Sequence, residues 1–326
     1  MNRLYPLKFK PLFKEKIWGG EKILTNLGLD YSPLKNCGEA WVLSGVEGSG
    51  TKVSNGFLKG NDLNELVEVF MDDLVGEKAF DKFKNEFPVL VKFIDSRQYL
   101  SIQVHPNDEL AARRKIGNGK SEMWYILDAS PDAEIIDGFN RDIDQKIFLD
   151  HLNRNTLPEI MNVEKVSQGD VFFIPAGRIH ALGPGVLLAE IQQTSDTTYR
   201  IFDWNRVDSN GKPRELHTEL ALEAIDYSRP DHCHTHYQRN LNKTVPLVDD
   251  IHFICNLLEF DRPIRKDYME LDSFVILLCI NGAMKVSSEN GQENVKCGET
   301  ILLPAITEKV SLFPDPGCKI LEIYMI

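Results

Sequence analysis

Apolar and polar positions alternate in short runs along most of this chain, and that period of two predicts a mainly β protein. PVLVKFID, SIQVHP, SEMWYILDA, GDVFFIPAG and GVLLAEIQQ are each short, apolar or alternating, and bounded by Gly, Pro, Asn or Ser. From Asn61 to Phe87 the period changes. Leu63, Leu66, Val67, Phe70 and Leu74 recur at helical intervals behind Asp62, a suitable N-cap, and EKAFDKFKNEF continues as a second helical piece before Pro88. The pattern predicts a small helical insertion at about 61–87 packed on a β core. Two further helices are expected, in DIDQKIFLDHLNRN and RELHTELALEAIDYS, with His151 and His217 on their surfaces.

One pattern occurs twice. SQGDVFFIPAGRIHAL and KCGETILLPAITEKVSL align without gaps through the turn, with Gly169 matching Gly298, Asp170 matching Glu299 and Pro175 matching Pro304. His180 then falls opposite Lys309, and SEMWYILDAS resembles SFVILLCING, with Ser273 taken as the counterpart of Glu122. The G-D/E-x-x-x-x-P-A turn is typical of cupins, small antiparallel jelly-roll barrels that hold a ligand at one mouth. The expected architecture is therefore two cupin-type jelly-roll barrels. Residues 1–239 form the metal-binding unit, and 240–326 form a second barrel that lacks the ligands and covers the apolar outside of the first.

Composition narrows the functional classes. The chain has 326 residues, 42% hydrophobic and 26% charged, as in a soluble globular protein large enough for two cores. A formal charge of −12 argues against a nucleic-acid partner. The N-terminus has prolines and lysines where a signal peptide needs an apolar run, and SFVILLCI is too short to span a bilayer. The 6 cysteines are scattered without a CxxC pair, which reads as reduced thiols in a cytoplasmic protein. DHCHTHYQ sets His232, His234 and His236 on one face of an extended chain, but in a polar stretch without carboxylate partners; no functional metal site is expected there.

The candidate chemistry lies elsewhere. Gln103 and His105 are two apart in YLSIQVHP, so an extended chain sends both to one face. Glu122 opens a second β-rich run, and His180 follows a strand and a turn. Two imidazoles, a carboxylate and an amide oxygen make a borderline-soft divalent site that suits Zn²⁺, one per chain.

QVHPND, GKSEMWYIL, GDVFFIPAGRIHAL and TSDTTYRIFDWNR, in this order, resemble the type I mannose-6-phosphate isomerases (phosphomannose isomerases) in their short bacterial form. IWGGEKI and GEAWVLSG extend the likeness toward the start, where Trp18, Gly19 and Gly20 match a family signature whose chemistry the residues do not reveal. The resemblance implies a cytoplasmic zinc enzyme that interconverts mannose 6-phosphate and fructose 6-phosphate through a cis-enediol. It implies a phosphosugar as partner, with no nucleic acid or membrane, and a monomer or weak homo-oligomer. Arg200 matches the family's active-site arginine, which stabilises the enediolate or holds phosphate, and Lys92 and Lys120 match lysines near the substrate. Glu190 and Asp196 compete for the base. Glu190 is preferred because a carboxyl within an apolar strand has a raised pKa suited to proton transfer. The alternatives are an Fe²⁺ cupin oxygenase, for which SDTTYR has no purpose, and a non-catalytic phosphosugar-binding cupin, which needs neither the ligands nor the arginine.

Overall fold

A computed structural model of the chain describes residues 4–207 and 211–326. It is mainly β, as the alternation predicts, and its strands form three antiparallel sheets. The first has six strands, in the order Val171–Ile174, Glu122–Ala129, Val186–Gln193, Val89–Ser96, Glu39–Leu43 and Leu12–Lys14. The second has five: Tyr199–Phe202, Ile102–Val104, His180–Leu182, Glu134–Phe139 and Met161–Lys165. These two sheets share a core in which Ile94, Trp124, Ile126 and Leu188 of the first meet Ile135 and Leu182 of the second.

Alternation along the central strands explains why they read as nearly continuous apolar runs. In Val186–Gln193 every residue is buried. Leu187, Ala189 and Ile191 pack outward against Cys255, Leu257, Ile276 and Leu278 of the C-terminal sheet, whereas Leu188 packs inward. A strand with a sheet on each side has no solvent face to keep polar. The outer face of the five-stranded sheet is covered by Gln145–Asn153, Leu157–Ile160 and Thr218–Leu222, through Phe148, Leu157, Ile160 and Ala221.

The helical insertion occurs as Leu63–Val75 and Glu77–Phe83. Asp62 caps the first helix in a full capping box: its side chain accepts from Asn64 N, and Glu65 accepts from Asp62 N at 2.9 Å. The second helix ends at Phe83, short of Pro88. It begins against the C-terminal barrel, where Asp272 accepts from Glu77 N at 2.7 Å and Lys78 N at 3.1 Å. A short helix at Asp108–Arg114, capped by Asn107, was not expected from the strand pattern of this region. The helix expected in RELHTELALEAIDYS is confined to Thr218–Leu222, and His217 precedes it instead of lying on its surface.

The third sheet has nine strands and is built mainly from residues after 240, rolled around Leu277, Ile301, Leu303, Leu312 and Ile320. It is not confined to them. Leu7–Lys10 pairs with Thr300–Leu303, and Lys52–Val53 pairs with Leu7–Lys10. The division at 239/240 therefore does not partition the sheets, because Leu7–Lys10 and then Lys52–Val53 extend one side of the C-terminal one.

The repeat is built as an internal copy. Gly169 and Gly298 both have positive φ, +93° and +84°, the conformation that a side chain resists. Asp170 accepts from Ser167 N at 2.7 Å, and Glu299 accepts from Lys296 N at 3.0 Å. The register corrects one match. Ile174 stands opposite Glu122 and Leu303 opposite Val275, so Val275, not Ser273, holds the place of Glu122.

Candidate metal centre and active site

Three elements bring the expected ligands together. Register sets His180 directly opposite Gln103, and His105 follows the same short strand one residue past its end. Glu122 starts the neighbouring sheet's strand, opposite Ile174, six residues before His180. His105, Glu122 and His180 are all buried, and their ligand atoms lie within 4.8 Å of one another.

The second layer of contacts orients both imidazoles. His105 Nδ1 donates to Thr197 O at 2.9 Å, and His180 Nδ1 donates to Arg178 O at 2.8 Å. A carbonyl only accepts, so each ring carries its proton on Nδ1 and turns the Nε2 lone pair into the cluster. Burial, then the Lys120 ammonium and His180, hold His105 well below the usual histidine range. Burial likewise pushes His180 down to about 3. Neutral imidazole is the form that binds a metal.

Glu122 is 0% exposed, and neither of its oxygens accepts a well-aligned hydrogen bond. A buried carboxylate short of donors is costly unless a cation attends it. Lys120 Nζ sits at that place, 2.8 Å from Glu122 Oε2 and 2.9 Å from His105 Nε2. Gln103 Nε2 lies 3.2 Å from His180 Nε2, and a half-turn of the amide exchanges that donor for the Oε1 a metal needs. Two neutral imidazoles, an under-satisfied carboxylate and an amide fit a zinc ion.

Beside this cluster opens a cavity of about 250 Å³, lined in part by Lys92, Gln103, Lys120, His180, Glu190, Asp196 and Arg200. Every residue expected to act on substrate thus borders one space. Five cationic side chains (Lys16, Lys92, Lys120, Arg200, Arg214) face three carboxylates (Glu39, Glu190, Asp196), in a chain whose overall charge is −12. The local sign is reversed, which suits an anionic substrate.

A cross-strand row supplies Lys92, Glu190 and Trp124 to the cavity wall. Trp41, Lys92, Glu190 and Trp124 stand opposite one another on four adjacent strands. Lys92 Nζ lies 2.7 Å from Glu190 Oε2, and Trp124 Nε1 donates to Glu190 Oε1 at 3.1 Å. Burial works to lower the Lys92 pKa, but Glu190 and Glu39 outweigh it and hold the ammonium above its usual value. Glu190 is therefore half of an ion pair and not the isolated carboxyl that the apolar strand suggested. Asp196 lies in the loop before Tyr199–Phe202 and is exposed at the cavity's edge.

Arg200 is half-buried and donates from Nη1 to Glu215 O at 2.8 Å, while its Nε is buried without a hydrogen-bond partner among the described residues. Its backbone N donates to His217 Nδ1 at 3.1 Å, so His217 braces the Arg200 strand. Arg214, which periodicity did not single out, is held by Asp203, with Nε donating to Oδ2 at 2.7 Å.

Lys16, Trp18, Glu39 and Trp124 also line the cavity and were missed as site residues. The usable clue was Lys92 itself, since a lysine in an apolar strand demands carboxylate neighbours. Trp18-Gly19-Gly20 now has a physical basis. A Cβ on Gly19 would lie 2.6 Å from Gly38 N, and one on Gly20 2.4 Å from Asp95 Oδ2, so the glycines let this segment lie flat while Trp18 lines the cavity. His234 instead packs its ring on Phe172 at 4.3 Å, and among the described residues the His232–His236 stretch forms no three-ligand group.

Comparison with known proteins agrees with this geometry. Residues 6–133 match the family model for phosphomannose isomerase type I, catalytic domain. Mannose-6-phosphate isomerase ManA of Bacillus subtilis (strain 168) is 36% identical over 302 residues, 92% of this chain and 93% of that protein. The crystal structure of the mannose 6-phosphate isomerase from Bacillus subtilis superposes with a TM-score of 0.87 at 31% identity, covering 98% of this chain and 99% of that one. A zinc-bound mannose 6-phosphate isomerase, 17% identical, shares the fold with a TM-score of 0.76 over 98% of this chain and 99% of its own. The extent of these matches and the identity to the Bacillus subtilis relative place the chain in the type I phosphomannose isomerase family.

Proposed function

We propose that this protein is a zinc-dependent aldose–ketose isomerase that interconverts mannose 6-phosphate and fructose 6-phosphate through a cis-enediol. The observation that carries this reading is the junction of the buried His105–Glu122–His180 donor set with a cation-rich cavity. Zinc held by these residues, with Gln103 as fourth ligand, would supply Lewis-acid stabilisation of charge on the substrate's two oxygens.

The remaining roles fall to the chain's own residues. The Arg200 guanidinium faces the cavity, its buried Nε unpartnered among the described residues, and is assigned to the negative charge that develops as the C2 proton leaves. Glu190 is assigned to proton transfer between C2 and C1; it is 3% exposed, and Lys92 and Trp124 fix its orientation. Asp196, at the edge, is the competing carboxylate, and Lys92 and Lys120 bind or orient the sugar phosphate.

No described helix is long and apolar enough to cross a membrane. The free thiols support a cytoplasmic setting and the acidic surface a protein without nucleic-acid partners, acting as a monomer or weak homo-oligomer. An Fe²⁺ oxygenase on the same ligands leaves the cation-rich wall without a use.

The test is coupled turnover of mannose 6-phosphate before and after chelation, with metal analysis of the active preparation. Turnover lost on chelation and restored by zinc, at about one zinc per chain, is the expected result. Full turnover in metal-free protein would overturn the zinc reading.

A further inference from the structure

The segment Gly119-Lys120-Ser121-Glu122 carries one ligand and the buried lysine, yet it follows an exposed loop. Something must hold it. Its peptide groups are tied on three sides. Gly119 N donates to Asp108 Oδ1 at 2.8 Å, and Lys120 N donates to Pro106 O at 3.0 Å. Ser121 N donates to the Gln193 side-chain Oε1 at 2.9 Å, and Ser121 O accepts from Gln193 N at 3.2 Å.

Two of these anchors are themselves joined: Gln193 Nε2 donates to the same Asp108 Oδ1 at 2.9 Å. The other carboxylate oxygen, Oδ2, meets His252 Nε2 of the C-terminal barrel at 3.2 Å. The fit at Gly119 is tight, because a Cβ there would lie 2.5 Å from Asp108 N. One carboxylate oxygen thus gathers the start of the Asp108–Arg114 helix, the end of the Val186–Gln193 strand and the segment leading into Glu122.

We propose that Asp108 and Gln193 are positioning residues that set the register of Gly119–Glu122 and so place the Glu122 carboxylate for the metal. Neither touches the donor atoms. Gln193 is 5% exposed and uses both ends of its amide, one on Ser121 and one on Asp108. An exposed loop alone samples many conformations, and a ligand displaced by a fraction of an ångström binds more weakly. This proposal rests on the zinc reading of His105, Glu122 and His180.

The test is zinc affinity by chelator competition on the purified full chain, with Tm and with kcat and KM for mannose 6-phosphate. Asp108→Ala and Gln193→Glu are expected to weaken zinc binding by about 10- to 100-fold. Gln193→Glu keeps the acceptor for Ser121 but replaces the donation to Asp108 with a second carboxylate. Asp108→Asn keeps an acceptor oxygen for Gly119 and Gln193 and is expected to bind zinc close to wild type. Glu109→Ala removes the other acid from the first turn of the same helix and is expected to change nothing, which separates the clamp from helix stability.

Wild-type zinc affinity in Asp108→Ala and Gln193→Glu would overturn the proposal. So would a loss in Asp108→Ala that is matched by Asp108→Asn or Glu109→Ala. Wild-type protein that binds no zinc, or keeps its zinc in His105→Ala/His180→Ala, would instead remove the zinc reading beneath it.

Discussion

The two barrels share a turn but not an interior. In the first, the strand that begins at His180 borders a charged cavity of about 250 Å³ through His180 and Leu182. In the second, the equivalent strands enclose Leu277, Ile301, Leu303, Leu312 and Ile320, each 0% exposed. Val275 stands where the first copy has Glu122, and Lys309 begins the strand that matches His180. Each fully buried aliphatic side chain stabilises by roughly 1.5–3 kcal/mol. The second barrel applies that energy to packing, whereas the first carries buried charges that contribute little net stability unless every one is paired. The comparison teaches that one β unit tolerates either interior, and that the packed copy supports the functional one by covering its outer face.

The largest test of this contrast removes the metal site. His105→Ala/His180→Ala should lose zinc and all measurable turnover while circular dichroism stays that of the folded chain, because the second barrel and the outer core do not depend on these rings. Zinc still bound at full occupancy would move the site, with His232, His234 and His236 as the next place to look.

Arg200→Ala comes next. It should lower kcat by roughly 10²-fold, on the scale of other lost transition-state donors, with zinc content unchanged. Arg200→Lys should recover little, since an ammonium cannot reproduce the planar fork. A rise in KM with constant kcat would instead make Arg200 a phosphate anchor.

The packed barrel has one buried polar knot of its own. Glu322, 2% exposed, pairs with Lys266 at 2.8 Å and accepts from Tyr268 Oη at 2.6 Å. Glu322→Gln should cost about 1–3 kcal/mol in urea unfolding and leave kcat unchanged. A fall in kcat at full stability would show that the second barrel takes part in the chemistry.

The smallest effect is expected at Lys309, the exposed counterpart of His180. Lys309→Ala should change stability by less than about 0.5 kcal/mol and turnover not at all. A large kcat loss there would break the division between a working copy and a packing copy.

Much of this was legible in the chain itself. Alternation predicts strands because side chains of an extended backbone leave opposite faces, and the change of period at Leu63 marks the helices for the same local reason. Asp62 caps as its type and position predict. Local geometry puts Gln103 and His105 on one face of an extended chain, but the choice of Glu122 and His180 beside them rested on the family resemblance.

Other features were decided only when distant strands met. Leu7–Lys10 pairs with Thr300–Leu303, nearly three hundred residues away, and no local pattern encodes that pairing. Glu190 looked like an isolated carboxyl in an apolar strand until the Val89–Ser96 strand brought Lys92 to 2.7 Å. Trp124 entered the cavity wall through the same register, and Arg214 through Asp203. Residue types and spacing determined which groups this protein can present. Cross-strand register, a matter of partners far apart in sequence, decided which of them face one another and what charge each meets.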